Sequence, residues 1–319
     1  MIVSDSKPKQ VKQTVNRPRL LQRKPKQSRS FLLEKKGITW LFLSPWLITL
    51  LLFWIYPLLY SLYMSFTEYR TLSGQMKWIG LANYERLVSD PIFWKALANT
   101  LIFVVGTIPF TTIFAIVLAV MLSRNIAWKG FYRSAFFIPS VTALVVLALI
   151  FTNLYAQDGY INSILNLLNI PYPKDGWLLN TGTALLSIMA MDVWIATGYY
   201  TVLFLAALQT IPNELYEAAE IDGASRRQQF FRVTLPGLRP MLLFVIVLNT
   251  IRSFQVFTEV YVMTKGGPLN ATTTLVYEVY RNAFDRSDLM GYASAIAYVT
   301  FILILGVSLL QMRFLREGK

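Results

Sequence analysis

The sequence contains no cysteine and no histidine. The first absence removes disulfides and thiol chemistry. The second removes imidazole metal sites and imidazole acid–base catalysis, so most hydrolase chemistries have no parts here. Nor does any G-x-x-x-x-G-K-[ST] phosphate loop occur, so this chain has no nucleotide-hydrolysing loop of that kind. Charge is scarce as well: 15% of residues are charged and 55% hydrophobic, against about 25% charged in ordinary soluble domains.

Where charge is missing matters more than how much. Runs of 31, 28, 24 and 24 residues lie uncharged after Lys36, Lys95, Arg133 and Asp288. A helix needs about 20 apolar residues to cross the hydrocarbon core, so each run supplies a membrane span. Two further apolar stretches are interrupted by charge, 183–209 by Asp192 and 239–263 by Arg252 and Glu259. A charge inside a span faces the bundle interior or a wet path. The reading is an all-α polytopic membrane protein of about six helices. Its spans are expected near 38–62, 97–122, 134–156, 183–209, 239–263 and 289–312, within a transmembrane domain covering 37–319.

Residues 1–36 differ in composition. They carry eleven Lys or Arg against Asp5 and Glu34, with Pro, Gln and Ser between, and such a segment has nothing with which to build a core. They read as a disordered basic tail anchored on anionic lipid rather than as a nucleic-acid site. The apolar run that follows is too long for a signal-peptide core. Placing the tail in the cytoplasm puts 21 Lys/Arg on the inner side and 8 on the outer, which satisfies the positive-inside rule. Both termini and the loop 210–238 are then cytoplasmic. Trp40, Trp94, Trp128 and Trp177 fall near span ends, where an interfacial aromatic belt is expected.

That inner loop is the most informative stretch. From Pro212 to Pro236 it reads as two short helices joined by a turn. Asn213 is placed to cap the first, with Glu214 and Glu217 near its positive end. Gly223 supplies the permissive backbone at its close. Ser225 and Gln228 fit a capping box for the second helix, and Pro236 is expected to stop it. Ala218 and Ala219 leave a low-relief face, while Leu215, Ile221, Phe230 and Phe231 offer apolar anchors. A DNA-binding helix-turn-helix is the bland competitor, but spans tether the loop on both sides and keep it from a major groove.

The spaced set Glu217-Ala218-Ala219, Asp222-Gly223-Ala224, Phe230, Val233, Leu235 and Pro236 resembles the signature loop of permease subunits of binding-protein-dependent ABC importers. Leu205-Ala206-Ala207-Leu208-Gln209, Met263-Thr264-Lys265-Gly266-Gly267-Pro268 and Gly291-Tyr292-Ala293-Ser294-Ala295 extend the resemblance over about residues 38–315. They narrow it to the carbohydrate-uptake branch, related to the maltose and glycerol-3-phosphate importers. The resemblance implies a type I importer permease fold in a bacterial inner membrane and no covalent chemistry on this chain. Implied partners are a second homologous permease, two ATPase subunits that use ATP and Mg, and an extracytoplasmic solute-binding protein. The first helix of the loop would sit in a cleft of the ATPase, with Glu217 as polar contact or brace and Gly223 permitting the turn. Each also has a purely structural reading, capping and ending its helix.

Transporter sites gather near the bilayer midplane from polar groups on facing helices. The candidates are Asp192, Trp194, Tyr199, Asn249, Arg252, Ser253 and Gln255, a mixture of amides, charge and aromatic faces suited to an oligosaccharide, glycoside or polyol derivative. By spacing from Glu217, Asp192, Tyr199 and Ser253 also fall near pocket positions of related sugar permeases. The bland alternative makes Asp192, Arg252 and Glu259 an interhelical ion-pair network, Arg252 and Glu259 sharing one helix face seven residues apart. Two other function classes compete: an ion-coupled secondary transporter, which explains the span charges but not the loop, and an intramembrane enzyme or scaffold, which lacks the residues.

Overall fold

In the computed structural model, which describes residues 36–70, 74–124, 127–285 and 289–316, helix follows wherever charge is missing. Residues 1–35, and so nearly all of the basic tail, lie outside the described residues. Two compact units divide at Tyr56/Pro57. In the first, α1 (Lys36–Leu50) runs into a π-turn, Leu51–Ile55. Its aromatic and aliphatic side chains, among them Trp40, Trp46 and Trp54, are exposed, as a helix surrounded by hydrocarbon tolerates.

The second unit opens within α2 (Tyr56–Ser65), which is followed by an antiparallel hairpin of β1 (Thr67–Arg70) and β2 (Gln75–Trp78), in register Thr67↔Trp78. Then come α3 (Ala82–Ser89) and α4 (Pro91–Ser123), the longest helix. Its start follows from local chemistry. The Asp90 carboxylate accepts from the Ile92 N–H at 2.8 Å, and Pro91 occupies a first-turn position that needs no donor. Helices α5 (Lys129–Val141), α6 (Leu144–Leu154), α7 (Tyr160–Leu167) and α8 (Ala184–Leu208) follow.

Packing between spans relies on small residues, because apolar side chains gain little by leaving lipid for one another. On α4 the buried positions include Ala96, Thr100, Thr107, Thr111, Ala115 and Ala119, and the helix packs against α8, α12 and α14. A Cβ on Gly198 would come within 1.9 Å of the Phe136 carbonyl oxygen, so α5 and α8 touch backbone to backbone there. Residues 134–156 do not form the single straight span expected from their hydropathy. α5 and α6 meet at 97°. The break is satisfied locally: Thr142 donates its hydroxyl to the Ile138 carbonyl at 2.8 Å and its N–H to Pro139 at 3.3 Å.

The loop segment holds α9 (Asn213–Ile221), α10 (Arg226–Gln229), a π-turn at Phe230–Thr234 and α11 (Leu235–Gly237). After it come α12 (Arg239–Phe254), α13 (Thr258–Met263), α14 (Leu275–Tyr280), a π-turn at Arg281–Asp285 and α15 (Met290–Arg316). Five helical stretches among the described residues are long and apolar enough to span a membrane, six with the bent pair α5–α6. The protein is an all-α, multi-span membrane protein.

Three buried clusters organise the second unit. One joins Phe103, Leu147, Tyr155, Ile188, Met191, Val256 and Tyr277. Another joins Ala115, Tyr200, Phe204, Leu238 and Val245, and a third Leu87, Phe93, Leu275, Tyr292 and Ile296. The segment from Thr264 to Thr274 is bonded tightly to the spans. Asn99 donates to the carbonyls of Asn270 and Thr273, Thr100 accepts the Leu275 N–H, and Tyr277 donates to the Lys265 carbonyl. Trp177 packs against the first of these clusters. It is partly buried and donates Nε1–H to Asn162 Oδ1 at 2.7 Å.

Candidate solute pathway and coupling loop

The charged residues of the spans meet at one point. Asp192 lies buried in the middle of α8, and Arg252 in the last turn of α12. The Arg252 fork addresses both carboxylate oxygens, Nη2 to Oδ1 at 2.5 Å and Nη1 to Oδ2 at 3.3 Å. Glu259 Oε1 stands 3.9 Å from the same Nη2. Arg252 and Glu259 do not ride one continuous helix face, as their spacing had implied. The span is broken at Gln255–Phe257, so α12 ends and α13 begins between them. The Val256 carbonyl freed by the break accepts from the Thr274 hydroxyl at 3.0 Å. Irregular backbone at membrane depth persists where protein satisfies it or where it lines a cavity. Both hold here: a cavity of about 280 Å³ is lined by Arg252, Gln255, Phe257, Thr258 and Glu259, with Leu144 and Leu248 beside them.

The seven expected pathway residues therefore do not converge. Arg252 and Gln255 line the cavity, and Asp192 stands behind Arg252. Asn249 and Ser253 are buried on the side facing α4, where Ser253 Oγ lies 3.2 Å from Thr107 Oγ1. Trp194 lines a different, apolar cavity of about 560 Å³ with Phe110, Phe114, Phe136 and Pro139. Tyr199 is half exposed and packs edge-on to Tyr200. Phe257, Thr258 and Glu259 are the lining residues that sequence reasoning missed as pathway groups. Hydropathy gives no sign of a helix break, so the run 239–263 reads as one rod.

The loop has two faces. Tyr216, Phe230 and Val233 pack against the cluster containing Ala207, Ile211 and Leu238, and the Tyr216 hydroxyl meets Thr234 Oγ1 at 3.0 Å. Away from that contact Leu215, Phe231 and Ile221 are exposed, Ile221 by 87%. Glu217, Ala218 and Asp222 are exposed and Ala219 and Ala224 half-buried. Asn213 does not cap α9. The boundary residue is Pro212, and no side chain caps there, because Asn213 already has helical backbone. The other end closes as a Schellman turn: Ala224 N–H bonds the Ala219 carbonyl at 2.8 Å and Gly223 N–H the Glu220 carbonyl at 3.0 Å. Gly223 has φ +74°, open to glycine at little cost. The capping box is present: Ser225 N–H donates to Gln228 Oε1 at 2.7 Å, and Gln228 N–H to Ser225 Oγ at 3.4 Å. Pro236 does not stop the second helix. It sits in the first turn of α11 after the π-turn, where its missing N–H breaks no helical ladder.

The exposed helix pair is thus fixed to a bundle whose charged centre opens onto a cavity. Residues 91–316 match the model of the binding-protein-dependent transport system inner membrane component family, and the chain belongs to that family. It is a multi-pass permease subunit of an ABC transporter in the inner membrane. It is 37% identical over 289 residues to the probable ABC transporter permease protein YurN of Bacillus subtilis, covering 90% of this chain and 98% of that one. The lactose transport system permease protein LacF of Rhizobium radiobacter is 36% identical, with 88% and 94% covered. The arabinooligosaccharides transport system permease protein AraP of B. subtilis is 34% identical, with 89% and 90% covered. A chain of a bacterial ABC transporter involved in import of the acidic polysaccharide alginate shares the fold, at TM-score 0.77 and 22% identity over 89% of this chain and 96% of that one. Another structure of the alginate transporter, in complex with an alginate pentasaccharide-bound periplasmic protein, aligns with TM-score 0.76 at 22% identity, covering 87% and 93%.

Proposed function

We propose that this permease carries a sugar or sugar-like solute inward, driven by ATP hydrolysed on a separate ATPase and transmitted through the Glu217–Pro236 loop. The observation that carries the coupling half is the loop's two-sided construction. One face is packed to the spans through Tyr216, Phe230 and Val233 and braced within the loop by the Tyr216–Thr234 hydrogen bond, while the other offers Leu215, Ile221 and Phe231 to a partner. A rigid connection on one side and an apolar docking face on the other is what a lever between two subunits requires. Both termini and this loop lie on the cytoplasmic side. Glu217 is the polar contact on the docking face, and Ala218 and Ala219 keep that face low.

The solute class rests on relatives named for lactose and arabinooligosaccharides, and on a cavity whose amide, guanidinium and carboxylate suit hydroxyl recognition. The working assembly comprises a second homologous permease, two ATPase subunits that use ATP and Mg, and an extracytoplasmic solute-binding protein. The spans' charges belong to this pathway: Arg252 and Gln255 face the cavity, and Asp192 holds Arg252 in place.

Reconstituting the complex in proteoliposomes tests the reading. Uptake should require internal ATP and survive collapse of the proton gradient. Uptake that persists without ATP would overturn it in favour of ion coupling. Gly223→Pro should leave the complex assembled in the membrane while ATP hydrolysis no longer drives uptake.

A further inference from the structure

The break in the fifth span does more than open a cavity. Phe257, in the break itself, lines both the cavity of about 280 Å³ beside Arg252 and a second of about 500 Å³ bounded by Gln255, Thr258, Val276, Val279, Thr300 and Phe301. From Phe257 a continuous series of aromatic rings leads away. Its centroid lies 5.4 Å from Tyr261 and 5.1 Å from Tyr280. Tyr261 and Tyr280 are 5.1 Å apart, and Tyr280 is 5.3 Å from Phe284. The series starts in the break before α13, passes α13 and α14 and ends in the π-turn beyond them. Behind it stands Tyr277, buried, 6.5 Å from Phe257 and held by its hydroxyl on the Lys265 carbonyl. The rings are not simply core. Tyr261 is exposed, Phe257 and Tyr280 half-exposed, and Phe284 at the far end is 64% exposed.

We infer that Phe257, Tyr261, Tyr280 and Phe284 form a stacking rail along which a saccharide moves between the loop after α14 and the cavity at Arg252, Gln255 and Glu259. The inference rests on the sugar reading proposed above. An aromatic face receives the C–H face of a pyranose or furanose, and the Tyr261 and Tyr280 hydroxyls, which bond each other, can exchange that bond for one to the ring substituents. Successive rings only about 5 Å apart let the solute engage the next face before leaving the last, so no step passes through bare hydrocarbon. A purely interfacial belt would set such rings around the protein at one depth. Here Phe257, Tyr261 and Tyr280 form a three-ring cluster at the cavity wall, and Tyr280 carries the contact on to the exposed Phe284. The polar groups of that cavity stand at the inner end, where Arg252 is 36% exposed despite its bond to Asp192.

The test uses the assembled importer with its binding protein in proteoliposomes, supplied with neutral gluco-, galacto- and arabino-oligosaccharides of two to five units. Tyr280→Leu and Phe284→Leu keep apolar bulk but remove the flat face. Each should lower uptake at sub-saturating solute about five- to tenfold, mainly through KM. Tyr280→Trp and Phe284→Tyr should stay within about twofold of the parent. Leucine variants with parental uptake overturn the rail. So does an equal loss in leucine and aromatic variants, or failure of both to co-purify with the other permease, which marks the rings as a packing face. A parental complex that takes up none of the saccharides overturns the sugar reading, and the rail with it.

Discussion

The loop between α8 and α12 and the break between α12 and α13 are both short departures from spanning helix, yet they are built in opposite ways. The loop's helix ends are closed by their own neighbours in sequence, although Tyr216 also reaches Thr234, 18 residues on, and packs against the spans. The Schellman turn, capping box and first-turn proline all close within about six residues. The break depends on distant partners: Asp192 lies 60 residues from Arg252, and Thr274 lies 18 from Val256. A locally stabilised element keeps its shape when a partner moves it as a unit, which suits a lever. One held by remote contacts changes when the spans shift, which suits a site that must open and close.

The sharpest way to break this contrast is at Arg252. Arg252→Ala leaves the buried Asp192 carboxylate without its cation, with a cost of about 3–5 kcal/mol. A large fall in thermal stability of the detergent-solubilised chain is expected, with Asp192→Asn recovering much of it in the double variant. If Arg252→Ala melts like the parent, the break does not depend on that long-range pair.

In the loop the effects should be smaller and local. Gly223→Ala forces a side chain into the left-handed region at about 1–2 kcal/mol, although nothing lies within 4 Å to clash with it. Fraying of α9, visible as faster amide exchange in residues 213–224, should accompany unchanged exchange in the spans. Ser225→Ala removes one half of the capping box, worth about 1 kcal/mol. Ser225→Asp should retain it, and a comparison of protease sensitivity within the loop measures the difference. Ile221→Ser is expected to move stability least, within about 0.5 kcal/mol, since that side chain touches so little. Its effect should appear instead as weaker co-purification with the ATPase. A stability loss at Ile221 larger than that at Gly223 would invert the picture of which loop face bears on the fold.

These two regions also differ in how far they could be read without coordinates. Gly223, Ser225 and Gln228 announced their roles, because a left-handed closure and a capping box are set by residues a few positions apart. Asn213 and Pro236 misled for the same local reason. Both sit where such residues commonly cap or stop helices, but the chain starts α9 one residue earlier than a cap would need and inserts a π-turn before Pro236. Around the cavity, the charges Asp192, Arg252 and Glu259 were legible as a group. The placement of Asn249 and Ser253 toward Thr107, and of Trp194 on a separate apolar cavity, was not.

What the sequence alone determined is the number of apolar runs, the helical character of each and the local chemistry of the loop. Hydrocarbon leaves a spanning backbone only the option of bonding to itself, so apolar length dictates helix. What the tertiary structure decided is where those helices are interrupted. The 97° bend between α5 and α6 and the break at Gln255–Phe257 occur inside runs that hydropathy reads as continuous. At the bend the freed groups are satisfied close by, within α5. At the break the Val256 carbonyl is satisfied by Thr274, on a loop folded back from beyond α13. Which faces meet, and therefore which polar side chains share a cavity, depends on such partners, and no local pattern encodes them.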